Sequence, residues 1–146
     1  MSFPIALQLY SVRNEAAADF RGTLEQVKAM GYDGVEFAGL HGYTAKEVKT
    51  MCDEIGLVPI SAHVPYVDML ADPEGVLGTY AEIGCRFVVV PYLTPEHRPG
   101  TDGFAEVIEN VKRIVAYSLD RVLERLDQRA AEDLPRGGRT AGGNRS

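Results

Sequence analysis

Three polar side chains recur along this chain at a nearly constant interval. Gln8, Glu36 and His63 stand about 27 residues apart, roughly the length of one βα unit. Each falls near the end of a short apolar or β-branched run. A glutamate beside a histidine is a pairing suited to proton transfer, because one or both can exchange a proton near neutral pH. Gln8 can hydrogen-bond a hydroxyl. Tyr10, Phe37, Tyr66 and Tyr92 offer apolar walls, three of them with polar tips. Plainer roles stand beside these. Glu36 can be a strand-end acid paired with a nearby base, and His63 can donate to a loop carbonyl. Gln8 can satisfy buried backbone groups, and Tyr92 can close a rim after Pro91.

These residues need a scaffold that brings their strand ends together. At three points an amphipathic stretch stops at a glycine and a β-branched run begins. Gly31 precedes Asp33-Gly34-Val35-Glu36-Phe37, Gly56 precedes Leu57-Val58-Pro59-Ile60-Ser61, and Gly84 precedes Phe87-Val88-Val89-Val90. The glycine suits the residue just past a helix, where positive φ is needed. Each run reads as a strand covered on both faces. Ile5 to Tyr10 reads as an earlier strand of the same kind.

The helices carry end signals. Asp19 is the expected N-cap of a helix reaching Met30, with Phe20, Leu24, Val27 and Met30 as its apolar stripe. Thr44 and Glu47 form a capping-box pattern before Val48, Met51, Cys52 and Ile55. Asp72 caps a third helix with Pro73 in its first position, and its stripe is Val76, Leu77, Tyr80 and Ile83. The order is β-α-β-α-β-α-β, an α/β arrangement with parallel strands whose C-terminal ends share one face.

A fourth helix is expected from Thr101 or Asp102 to about Ala130. Phe104, Ile108, Val111, Val115, Leu119, Val122 and Leu126 recur at steps of three and four. A competing reading makes residues 113–118 a fifth strand, but no glycine precedes them. The domain is therefore expected over residues 1–130. Residues 131–146 read as a disordered Gly/Arg-rich tail without apolar anchors.

Composition bounds the partners. The chain has 146 residues, 45% apolar and 25% charged, and a net charge of −6. One domain with a real core fits that length. The acidic balance argues against nucleic acid as a partner, and no apolar run is long enough to span a membrane. Met1-Ser2-Phe3-Pro4 has no basic region or signal core, so a cytoplasmic protein is expected. Cys52 and Cys85 read as buried, reduced thiols.

Several segments together are similar to a known family. Tyr10-Ser11-Val12-Arg13, Gly31 to Gly39, Leu40-His41-Gly42-Tyr43, Ser61-Ala62-His63 and Arg86 to Tyr92 resemble the N-terminal half of the sugar phosphate isomerase/epimerase family. These are the xylose isomerase-like TIM barrels, and the resemblance covers residues 3–114. It implies an eight-stranded barrel of roughly 250 residues, of which this chain holds a (β/α)4 half with a long C-terminal helix. It also implies metal-assisted proton transfer on a sugar or polyol ketone, with Glu36 and His63 as catalytic contacts. Gln8, Tyr10, Phe37, Tyr66 and Tyr92 would then bind the sugar or sugar phosphate.

The family's divalent metal (Mn, Mg, Co or Zn) is held by two glutamates, an aspartate and a histidine on later strands. None of those ligands carries over to this sequence. Activity of the chain alone is therefore expected to be weak or absent, and a truncated or frame-shifted product is the expected origin. Two copies, strand 4 of one beside strand 1 of the other, would complete eight strands as a homodimer. A non-catalytic sugar-binding or dimerisation module is the alternative, and an abasic-site endonuclease-like relative a more distant one. His41 and His97 are expected in solvent-exposed loops, and Arg98 as a solvated arginine.

Overall fold

The structure is a computed structural model, and it describes residues 3–132, with side chains as far as residue 118. Its described strands form a single four-stranded sheet in the order β1-β2-β3-β4. They are Ala6–Gln8, Gly34–Phe37, Val58–His63 and Phe87–Val89, and every neighbouring pair is parallel. A parallel pair needs a crossover, and helices supply it. Six α-helices are described: α1 (Arg13–Ala18), α2 (Phe20–Ala29), α3 (Ala45–Ile55), α4 (Tyr66–Ala71), α5 (Pro73–Ile83) and α6 (Phe104–Glu132).

The helix ends follow the chemistry legible in the chain. Asp19 accepts from the Gly22 amide at the start of α2, and Asp72 accepts from the Gly75 amide at the start of α5. Thr44 and Glu47 cap α3 reciprocally, which satisfies backbone donors that an uncapped helix leaves open. α3 and α5 end on Gly56 and Gly84 at φ 80° and 107°, where a Cβ would be strained. Gly31, just after α2, also has positive φ.

The helix-facing side of the sheet holds the core. Val35, Phe37 and Ala62 are fully buried there. Phe20, Leu24 and Val27 of α2, Val48, Met51 and Cys52 of α3, and Tyr80 and Ile83 of α5 are buried as well. Removing one such side chain from water contributes about 2–3 kcal/mol before entropy is counted.

The other side differs from expectation. The strands are not covered on both faces: Phe87 is 60% exposed and Val89 37%, whereas Val35 is inaccessible. Phe87 and Val89 pair with Ser61 and His63, so all four share one face of the sheet. Gln8 pairs with Glu36, and Glu36 with Ser61, which extends the same face across β1 and β2. An irregularity between Val35 and Glu36 shifts the β2–β3 register and sets Glu36 opposite Ser61.

Two short helices, α1 and α4, occupy segments without a sequence signal. β1 is also shorter than expected: the chain turns at Leu9 into a 3-10 segment, Leu9–Val12, that takes Tyr10 off the strand. Residues 113–118 lie within α6 and form no fifth strand. The chain divides into two compact units, Met1–Asn110 and the portion from Val111 onward. Of the tail expected over residues 131–146, the first two residues belong to α6, which runs to Glu132, and residues 133–146 lie outside the described residues. Among the described residues no helix is long and apolar enough to cross a membrane.

Candidate active site

Parallel pairing sets the site. Gln8 ends β1, Glu36 is the third residue of β2, and Ser61 and His63 are two apart on β3. A spacing of two on a strand returns a side chain to the same face. All four therefore project from the open face near the C-terminal ends of adjacent strands, where α/β proteins place their chemistry.

There they form one hydrogen-bonded row. His63 Nε2 lies 3.0 Å from Glu36 Oε1. On the far side of the ring, Nδ1 lies 3.0 Å from Gln8 Nε2. The Ser61 hydroxyl donates to the other Glu36 oxygen, Oε2. The His63 and Glu36 side chains are 28% and 23% exposed, low enough to strengthen these contacts and high enough to admit a small molecule. Ser61 itself is buried.

The remaining expected site residues fall elsewhere. Phe37 follows Glu36 on the strand, so alternation sends it to the opposite face, where it is fully buried in the helix-packed core. It is a core residue and not a wall of this opening. Tyr10 is 59% exposed, and the Arg13 guanidinium stands 4.7 Å from its ring centroid. Tyr92 lies beyond the end of β4 and is also exposed. Tyr66 is buried at the start of α4, and its hydroxyl accepts from Asn110 Nδ2 at 2.9 Å.

Two further histidines lie outside the row. His41 is exposed, as expected, and takes a left-handed φ of 51° with its ring 5.1 Å from that of Phe20. His97 is half-buried instead of solvated: its Nδ1 lies 2.8 Å from Thr94 Oγ1, and its ring packs near Tyr66. Arg98 is exposed and donates from Nε to the Leu93 carbonyl. Ser61 is the member of the row that sequence reasoning missed. Its place two residues before His63 was the available signal.

The donor set can be weighed against a divalent metal. Glu36 and His63 are the only ionisable members of the row, and they are bonded to each other. A stable zinc or manganese site takes three or more protein ligands. Among the described residues no group of three or more His, Cys, Asp or Glu stands close enough to hold an ion. These residues do not by themselves fit the metal that the resemblance implies.

The thiols are remote in character from this chemistry. Burial pushes the Cys52 thiol up to about 11, with the Asp53 carboxylate adding to the effect and Lys49 opposing it. Cys85 is half-buried and not fully buried as expected, and that partial burial still raises its thiol to about 12, with Cys52 contributing. Both stay protonated and weakly nucleophilic at neutral pH.

Comparison with known proteins agrees with this architecture. No family model matches the chain, and no curated protein shows significant similarity to it. Among solved structures, a sugar phosphate isomerase/epimerase from Parabacteroides distasonis is similar at 24% identity and a TM-score of 0.52. That match covers 64% of this chain and 44% of the solved one. A second sugar phosphate isomerase/epimerase from the same organism aligns at 23% identity and a TM-score of 0.49, over 62% of this chain and 39% of its own. The chain thus corresponds to less than half of either solved chain. In fold, it is an α/β half TIM barrel, four consecutive parallel βα units with their polar row on the open face.

Proposed function

We propose that this chain is a sugar phosphate isomerase/epimerase-like half-barrel whose Glu36–His63 pair moves a proton at the carbon beside a sugar or polyol carbonyl. The observation that carries the reading is the row Gln8–His63–Glu36–Ser61 at the mouths of three adjacent parallel strands. Such a reaction needs a base for an acidic C–H and groups that orient hydroxyls. Glu36 is the base in this reading, and Gln8 and Ser61 border the space a hydroxyl would enter. The half-barrel offers little to stabilise the enediolate, so conversion by the chain alone is slow.

A second copy of the chain supplies the missing half in this reading. β4 of one copy beside β1 of the other gives two identical junctions about a twofold axis. The exposure of Phe87 on β4 and Ile5 beside β1 favours such a contact.

The reading is tested by following ketose–aldose pairs and epimers with the purified chain by NMR. Slow conversion that Glu36→Gln abolishes is expected. Saturable sugar binding with no conversion would instead favour a non-catalytic sugar-binding module, and neither binding nor conversion would remove both readings.

A further inference from the structure

We infer that Gln8 and Ser61 are positioning residues that hold the His63–Glu36 pair in one protonic arrangement, a neutral imidazole carrying its proton on Nε2 beside an ionised carboxylate. The assignment of roles rests on the proposed function above, whereas the tautomer rests on the two contacts to the ring, with the Gln8 amide nitrogen facing Nδ1.

Two contacts agree on the same tautomer. An ionised Glu36 carboxylate can only accept, so with it the 3.0 Å contact to His63 Nε2 places a proton on that nitrogen. The Gln8 amide nitrogen can only donate, so its 3.0 Å contact requires a lone pair on His63 Nδ1. A neutral imidazole meets both conditions at once in this tautomer alone. The Ser61 hydroxyl then donates to the second Glu36 oxygen. Each carboxylate oxygen receives one charge-assisted hydrogen bond, which fixes the plane of the group.

This arrangement divides the labour within the pair. His63 Nε2 is already donating, and Nδ1 is covered by Gln8, so neither nitrogen is free to take a substrate proton. Glu36 keeps unused lone pairs on both oxygens, and it is the base. A second proton on His63 would enter at Nδ1, and that requires the Gln8 amide to turn over and present Oε1. Gln8 therefore sets which tautomer the His63 ring adopts beside Glu36.

Nitrogen-15 NMR of the full chain, labelled at histidine, reads this directly at neutral pH. The wild-type His63 ring is expected to show a pyrrole-type Nε2 and a pyridine-type Nδ1. Gln8→Glu places an obligatory acceptor beside Nδ1, and both nitrogens are then expected to be pyrrole-type. A wild-type ring protonated on Nδ1, or averaging between tautomers, would overturn the inference. So would a Gln8→Glu variant that keeps the wild-type pattern with its amide spectrum otherwise intact. The wild-type spectrum decides even where the variant fails to fold. A chain that shows the expected tautomer but converts no sugar counts against the proposed function and leaves the tautomer assignment standing.

Discussion

The Nε2 atom of His63 lies 3.0 Å from Oε1 of Glu36, joining β3 to β2 on the open face of a parallel sheet. The contact follows from the local shift in register that places Glu36 opposite Ser61 rather than Ile60. It leaves the carboxylate held from two sides, by His63 and by Ser61. Removing the charge and removing the whole group should then have different consequences. Glu36→Gln keeps a group of the same shape and should fold with little loss. Glu36→Ala leaves the Ser61 hydroxyl and the His63 ring without their acceptor, and should destabilise by about 1–3 kcal/mol. Urea denaturation of the two variants checks the contrast.

Close approach of β2 to β3 makes Gly34 sensitive. A Cβ there would stand 2.6 Å from the Val58 carbonyl oxygen and 3.0 Å from Ile60 Cδ1. A strand carbonyl cannot yield as a flexible side chain does. Gly34→Ala is expected to cost about 1–3 kcal/mol through this overpacking. An unchanged urea midpoint would show that the strands separate more readily than their pairing implies.

The thiols carry a pH signature. Because burial raises Cys52 to about 11 and Cys85 to about 12, their stabilising contribution is fully present below the unfolded thiol value and is lost as pH rises through the folded ones. Stability should therefore fall between about pH 9 and pH 12. At pH 8 the folded chain should react slowly with a disulfide reagent, and both thiols should react rapidly in urea. Fast labelling of both thiols in the native protein at pH 8 would contradict the burial of Cys52 and the raised value of Cys85.

At the acid end, the cap of α3 contributes with the opposite sign. The Thr44 backbone N–H, and then its hydroxyl, hold the Glu47 carboxyl below its ordinary value. That contribution is present above the unfolded carboxyl range and fades as pH falls through the folded one. Circular dichroism should show the wild type losing stability on acidification more steeply than Glu47→Gln. Equal acid slopes would mean that the capping box adds nothing in solution.

Completion of the ring by a second copy predicts a concentration-dependent mass in light scattering. Phe87→Lys on β4 should shift the equilibrium toward monomer by placing a charge at the strand junction. A mass that stays monomeric at every concentration would remove the dimer from the account.

Much of this organisation was legible in the chain, and the exceptions have physical reasons. Asp19, Thr44 and Asp72 marked three helix starts because a capping side chain acts within its own first turn, independently of tertiary context. Gln8, Glu36 and His63 were legible because one βα unit separates each from the next. Phe37 was misplaced by its neighbourhood to Glu36, although strand alternation sends adjacent residues to opposite faces. Tyr10 was assigned to a strand that ends at Gln8, since Leu9 packs inward and turns the chain. α1 and α4 are six residues each, too short to build an apolar stripe. The β2–β3 irregularity depends on pairing between distant segments and leaves no local trace.

The central claim is that Glu36 takes a proton from carbon at this opening. Incubating the chain with a ketose in deuterium oxide, and measuring label at the carbon beside the carbonyl, tests it most directly. Label should accumulate slowly with the wild-type chain and about 100-fold more slowly with Glu36→Gln. Equal rates for the two proteins, or no label above buffer with either, would contradict the account.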